Sequence, residues 1–123
     1  MFSDSSLVIN YAFSDPPLVT VHKVFSHQKS SLYLELACWV DSNPPCEPKW
    51  VKLGENGKVM NISPKSDIEK SVWVEQRGEF SVVVIENPKD NHMGGYICTA
   101  TNIVGEDYKI ISLRGKFTCN SSR

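Results

Sequence analysis

The sequence predicts an all-β fold, an antiparallel sandwich or barrel. Two observations carry this. Short runs rich in β-branched and aromatic residues recur along the 123-residue chain, and no long stretch repeats apolar residues at the helical spacing i, i+3, i+4, i+7. The runs are separated by turn-forming stretches such as Asp41-Ser-Asn-Pro-Pro, Gly54-Glu-Asn-Gly and Asn87-Pro-Lys-Asp. Some seven strands so punctuated suit a two-sheet architecture.

In chain order the strands are expected at Leu18–Phe25, Leu32–Val40, Pro48–Leu53, Val72–Gln76, Phe80–Glu86, Tyr96–Thr101 and Tyr108–Leu113. The segment before the first, LVINYAFSDPPLVTV, joins two apolar runs through Asp15-Pro16-Pro17. It reads either as one edge strand with a proline kink or as the last strand of a preceding domain, Leu7–Tyr11, followed by a linker. The organisation expected is therefore an N-terminal segment 1–15, a folded domain 16–117 and a tail 118–123. In LYLELACWV the period of two puts Leu34, Leu36 and Cys38 on one buried face. Trp39 falls on the opposite, outward parity. Trp50 stands among Lys49, Val51 and Lys52, so the indole marks an inward position. In the sixth strand Tyr96, Cys98 and Ala100 share the inward face.

The four cysteines are Cys38, Cys46, Cys98 and Cys119. A structural zinc site brings cysteines in closely spaced pairs, and none occurs here. A cysteine nucleophile needs a neighbouring base, whereas His22, His27 and His92 are scattered. Two cysteines facing inward on different strands favour a structural clamp. Neither paired carboxylates, a phosphate-binding glycine loop nor a Ser/His/Asp constellation is present, so no enzyme, cofactor or metal is expected. Thirteen basic residues against fourteen acidic ones, with no run of like charge, exclude a nucleic-acid partner. No stretch approaches the ~18 apolar residues that span a bilayer, so no direct membrane insertion is expected. MFSDSSLVIN lacks the basic and apolar regions of a signal peptide, so a secreted protein would carry this chain as a piece of a longer precursor.

Cys38, Trp50, Tyr96 and Cys98, with the run G-x-Y-x-C-x-A-x-N-x-x-G from Gly94 to Gly105, resemble the immunoglobulin superfamily, and its I-set branch in particular. SNPPCEPKW is similar to the proline-containing B–C loop of tandem cell-adhesion domains of that family. The resemblance covers about residues 16–117. It implies an immunoglobulin-like antiparallel β-sandwich with a Cys38–Cys98 disulfide between the sheets, covered by Trp50 and with Leu36 in the core. Closing a loop of about 60 residues should stabilise by about 4 kcal/mol in the chain-entropy view. It also implies that the Tyr96 hydroxyl bonds backbone in the corner before its strand. One departure stands out. The family commonly carries Asp four residues before that tyrosine, paired with an Arg. Here the position is His92, which would leave Arg77 without its partner and make the corner ENPKDNHMGG irregular.

The cysteines and the sequons at Asn61 and Asn120 favour an extracellular, cell-surface location. Cys46 and Cys119 are candidates for an additional bond. That bond would require the tail to fold back along the domain, because a disulfide brings Cα atoms within about 7 Å and a ten-residue strand spans roughly 30 Å. The resemblance implies a recognition or adhesion module with a protein partner, a second copy among the candidates. A signalling-receptor ectodomain and an intracellular filament domain are the alternatives. Lys49, Val51, Ile97 and Thr99 are expected to point outward on neighbouring strands, with Val51 and Ile97 as exposed apolar residues. This face is the candidate partner surface. The loops Asp41–Glu47 and Asn102–Glu106 are its rival.

Overall fold

The computed structural model describes residues 14–54, 57–62 and 71–114. Among the described residues eight strands form two four-stranded sheets. They are β1 (Asp15–Gln28), β2 (Ser31–Asn43), β3 (Lys49–Leu53), β4 (Val59–Ile62), β5 (Val72–Arg77), β6 (Phe80–Glu86), β7 (Gly94–Thr101) and β8 (Glu106–Leu113). The first sheet has the order β1-β2-β6-β5 and the second β4-β3-β7-β8, all neighbours antiparallel.

The strand β4 corrects the count of seven. It pairs only with β3, and Val59, Met60 and Asn61 are all exposed, so no inward/outward alternation marks it. β1 is longer than the apolar run alone suggests. It pairs with β2 from Leu18 to Gln28, with an irregularity between Asp15 and Leu18 where the two prolines cannot donate to a ladder. Expectations for Leu7–Tyr11, Cys119, Asn120 and the tail fall outside the described residues.

The core lies between the sheets. Leu34, Leu36 and Cys38 from β2 meet Trp50 from β3 and Tyr96, Cys98 and Ala100 from β7, with Val83 and Ile85 from β6. All are essentially buried. Cys38 and Cys98 form a disulfide linking the two sheets. The Trp50 indole N–H reaches the Ser81 carbonyl of the opposite sheet at 3.4 Å.

The corner before β7 is ordered rather than irregular. Asp90–His92 make one 3₁₀ turn. His92 is buried; its Nδ1 accepts from the Lys89 amide at 2.8 Å, and its carbonyl accepts from the Tyr96 hydroxyl at 2.7 Å. The imidazole thus replaces a carboxylate by acting as an acceptor for backbone. Gly94 completes the corner with φ +130°, and a Cβ there would meet the Leu53 carbonyl at 3.0 Å, so only glycine fits. Arg77 is not left unpaired. Its two terminal nitrogens donate to both Glu35 oxygens at 2.8 and 2.9 Å, and its Nε donates to Glu75 at 2.7 Å.

The sheets are also tied along one edge. The Val19 amide of β1 donates to the Asp107 carboxylate of β8 at 2.8 Å, and Lys109 lies 3.1 Å from the same oxygen. The Val19 bond, then Lys109, holds Asp107 below the usual carboxylate pKa.

Candidate functional site

The register of the second sheet decides which side chains share its outer face. Directly opposed residues of an antiparallel pair point the same way. Trp50 is opposite Cys98, both inward. The neighbouring rows therefore face outward. One runs Asn61–Val51–Ile97–Ile110 across β4, β3, β7 and β8, and the next runs Lys49–Thr99–Tyr108.

This brings together the four residues predicted from sequence, with an adjustment. Lys49 is exposed, but Val51, Ile97 and Thr99 are half-buried, because they lie on the two central strands and are flanked on both sides. The exposed apolar surface of the face lies on its edge strands, with Tyr108 59% and Ile110 49% exposed on β8 and Val59 60% exposed on β4. Sequence reasoning missed all three. The usable signal on β8 was parity: Leu113 is buried and Ile111 packs on the core, so 108 and 110 must point out.

The face is nearly free of charge. Lys49 and Glu106 are the charged side chains at its outward strand positions, and they sit in different rows. Asn61 occupies its β4 flank, exposed and opposite Val51.

The rival loops meet at one end of the sandwich and are fastened by Asn102. Its side-chain NH₂ donates to the carbonyls of Asp15 at 2.8 Å and Pro44 at 3.2 Å. Its side-chain oxygen accepts from the amides of Val104 and Gly105. One side chain thus joins three segments, and the tip it holds, Ile103-Val104, is exposed. Cys46 is a half-buried free thiol with Sγ 3.5 Å from Ser42 Oγ. Among the described residues no group of three or more His, Cys, Asp or Glu side chains is placed to hold a metal ion.

The two four-stranded sheets, the disulfide joining them and the Trp50 and Tyr96 positions agree with the comparison to known families, in which the immunoglobulin I-set domain matches residues 21–114. The chain belongs to the immunoglobulin I-set family. Among curated proteins it is similar to human MAM domain-containing glycosylphosphatidylinositol anchor protein 1, with 28% identity over 115 residues and 89% of this chain. It is similar also to mouse hemicentin-2, with 33% identity over 95 residues and 76% of this chain. The aligned region is 12% of the first relative and 2% of the second, so the chain spans a small part of either. Among solved structures the titin M4 domain superposes with a TM-score of 0.57 at 18% identity, covering 82% of this chain and 96% of that one, a likeness of fold.

Proposed function

We propose that this I-set domain is an extracellular recognition module of a cell-surface protein, without catalytic activity, and that the outer face of β4-β3-β7-β8 contacts a second copy of the chain. One observation carries the choice of face. A row of aliphatics, Val51–Ile97–Ile110, crosses three strands beside Tyr108, with almost no charge to oppose a like surface. A neutral apolar strip can meet its own two-fold copy without like charges opposing one another.

Size argues for a weak contact. Strands ~4.8 Å apart and outward rows ~7 Å apart give a patch of roughly 300 Å², well below the ~800 Å² per partner of a stable interface. Such a contact works through many copies arrayed on a surface, by effective concentration. The disulfide and the two sequons support an oxidising, extracellular setting. So does the relative named for a glycosylphosphatidylinositol anchor.

Asn61 offers a competing use of the same strip, because a glycan there would stand beside Val51 at the edge of the face. Glycopeptide mapping of chain secreted from eukaryotic cells, which separates Asn61 from the second sequon at Asn120, distinguishes them. A sugar at Asn61 on all molecules would refute the face-to-face contact.

The mutational test uses the exposed pair first. Tyr108→Ser with Ile110→Asp should abolish concentration-dependent association in sedimentation velocity and aggregation of cells displaying the parent ectodomain, with the melting temperature nearly unchanged. Val51→Asp with Ile97→Asp should do the same at some expense of stability, since these two are half-buried. Undiminished association of the folded Tyr108/Ile110 variant would refute the sheet face and direct attention to the Ile103-Val104 tip.

A further inference from the structure

The outer face of the other sheet has a different character. Its outward rows run Thr20–Trp39–Phe80–Arg77, His22–Ala37–Val82–Glu75 and Val24–Glu35–Val84–Trp73. Ala37, Val82 and Val84 are under 8% exposed although they face away from the core. Tyr33 and Trp73 pack on them. The Arg77 guanidinium, based on β5, reaches over β6 to Glu35 on β2 and closes the cover.

The cover stops short of β1. Beside it lies a hollow of about 180 Å³ floored by Ala37 and Val82, walled by His22 and Phe80 and rimmed by the Arg77–Glu35 pair. Phe80 is 40% exposed and stands edge-on to His22, with ring centres 5.9 Å apart. Next to Phe80 across the ladder is Trp39, whose indole N–H donates to Glu79 at 3.1 Å. The result is an aromatic strip, Trp39–Phe80–His22, open to solvent at the β5–β6 hairpin.

The strip is set in negative charge. Asp41, Glu35, Glu75, Glu79 and Glu86 stand on outward strand positions of this sheet or in its β5–β6 hairpin, and among the described residues Arg77 is the one basic side chain with a permanent charge at those positions. The chain as a whole carries a net charge of only −1. Arg77 does not repel an incoming cation, because Glu35 and Glu75 together leave their cluster at −1. Each carboxylate has about four lone-pair sites, more than Arg77 and Trp39 occupy.

Aromatic faces beside carboxylates attract Lys and Arg side chains. An acidic field repels nucleic acid and anionic lipid and speeds encounter with basic surfaces. Neither sequon lies on the described part of this face, Asn61 being on the opposite sheet. We infer that the outer face of β1-β2-β6-β5 is a second docking surface, and that its occupant is a basic, Arg/Lys-bearing segment of a partner protein. One cationic side chain stacks on Phe80 and Trp39, and its neighbours pair with Glu79 and Glu75. This surface is independent of the self-contact proposed above, since it lies on the opposite sheet and selects the opposite chemistry.

The test titrates the ¹⁵N-labelled 123-residue chain with hepta-arginine, hepta-lysine and hepta-glutamate peptides at low and physiological salt. The expected result is shift changes concentrated at Ala37, Trp39, Phe80 and Val82 with the two basic peptides, tighter for arginine, weakened by salt and absent with hepta-glutamate. Phe80→Ser should weaken hepta-arginine binding by about threefold, the worth of one exposed cation–π contact. Glu79→Gln, a milder exposed change, should weaken it as well and serves if Phe80→Ser does not fold. Absence of binding, shifts spread over the whole surface or centred on Ile97 and Tyr108, or affinity unchanged in the folded variants would overturn the inference.

Discussion

Asp107→Ala should destabilise the domain at neutral pH, and the destabilisation should shrink in acid. Val19 is 1% exposed, and its amide donates to the Asp107 carboxylate. Removing the carboxylate leaves a buried N–H without its acceptor and cuts the tie between β1 and β8. A hydrogen bond to a charged group contributes about 1.5–3 kcal/mol, and the side chain is partly solvated, so about 2 kcal/mol is expected. In a domain of this size that lowers the melting temperature by roughly 8 °C. The sign in pH follows from the depressed pKa. A carboxylate whose folded pKa lies below its unfolded value near 4 stabilises the fold above that value and loses the contribution as pH falls through the folded pKa. The gap between wild type and Asp107→Ala should therefore be full above about pH 5 and narrow steadily below pH 4. Asp107→Asn keeps an acceptor oxygen and should recover part of the stability while losing its acid dependence. Urea unfolding followed by tryptophan fluorescence over that pH range measures all three proteins. A variant as stable as wild type at pH 7, or a gap that persists undiminished in acid, would refute the assignment.

Two further predictions concern the core. Trp50→Ala should cost about 3–5 kcal/mol, since the indole is buried between the sheets, and Trp39→Ala clearly less, because Trp39 is half-exposed on an outer face. The reverse order in thermal melts would overturn the parity assigned to β2 and β3. Tyr96→Phe removes the donor to the buried His92 carbonyl and should cost about 1–3 kcal/mol in urea unfolding with an unchanged far-ultraviolet spectrum; a variant matching wild type would show that the corner does not depend on this bond.

What was legible in the sequence depended on where a strand sits. β2 and β7 are central strands, and the inward residues Leu34, Leu36, Cys38 and Tyr96, Cys98, Ala100 could be read from a period of two. β4 is an edge strand exposed on nearly every residue, so it leaves no pattern. β8 is also an edge, and its adjacent Ile110 and Ile111 break the alternation. Only its register against β7 shows that Ile110 joins the Val51–Ile97 row. β6 failed in the opposite way. VVVI is apolar throughout, and a continuous run does not say what covers its second side. The answer is Arg77, whose expected acidic partner is missing from the corner but is supplied by Glu35, 42 residues upstream in sequence. No local pattern carries such a pairing, nor the contact of Val19 with Asp107 over 88 residues. The same limit separates the two candidate surfaces. Val51 and Ile97 could be placed side by side because Trp50 and Cys98 mark the inward parity of two adjacent strands. The acidic aromatic face could not, because assembling Trp39, Phe80, His22 and Glu79 requires the pairing of three strands and a hairpin. Its charge is therefore a property of the fold rather than of the composition. A chain with a net charge of −1 can present a near-neutral face on one sheet and an acidic one on the other because strand pairing sorts the residues by parity.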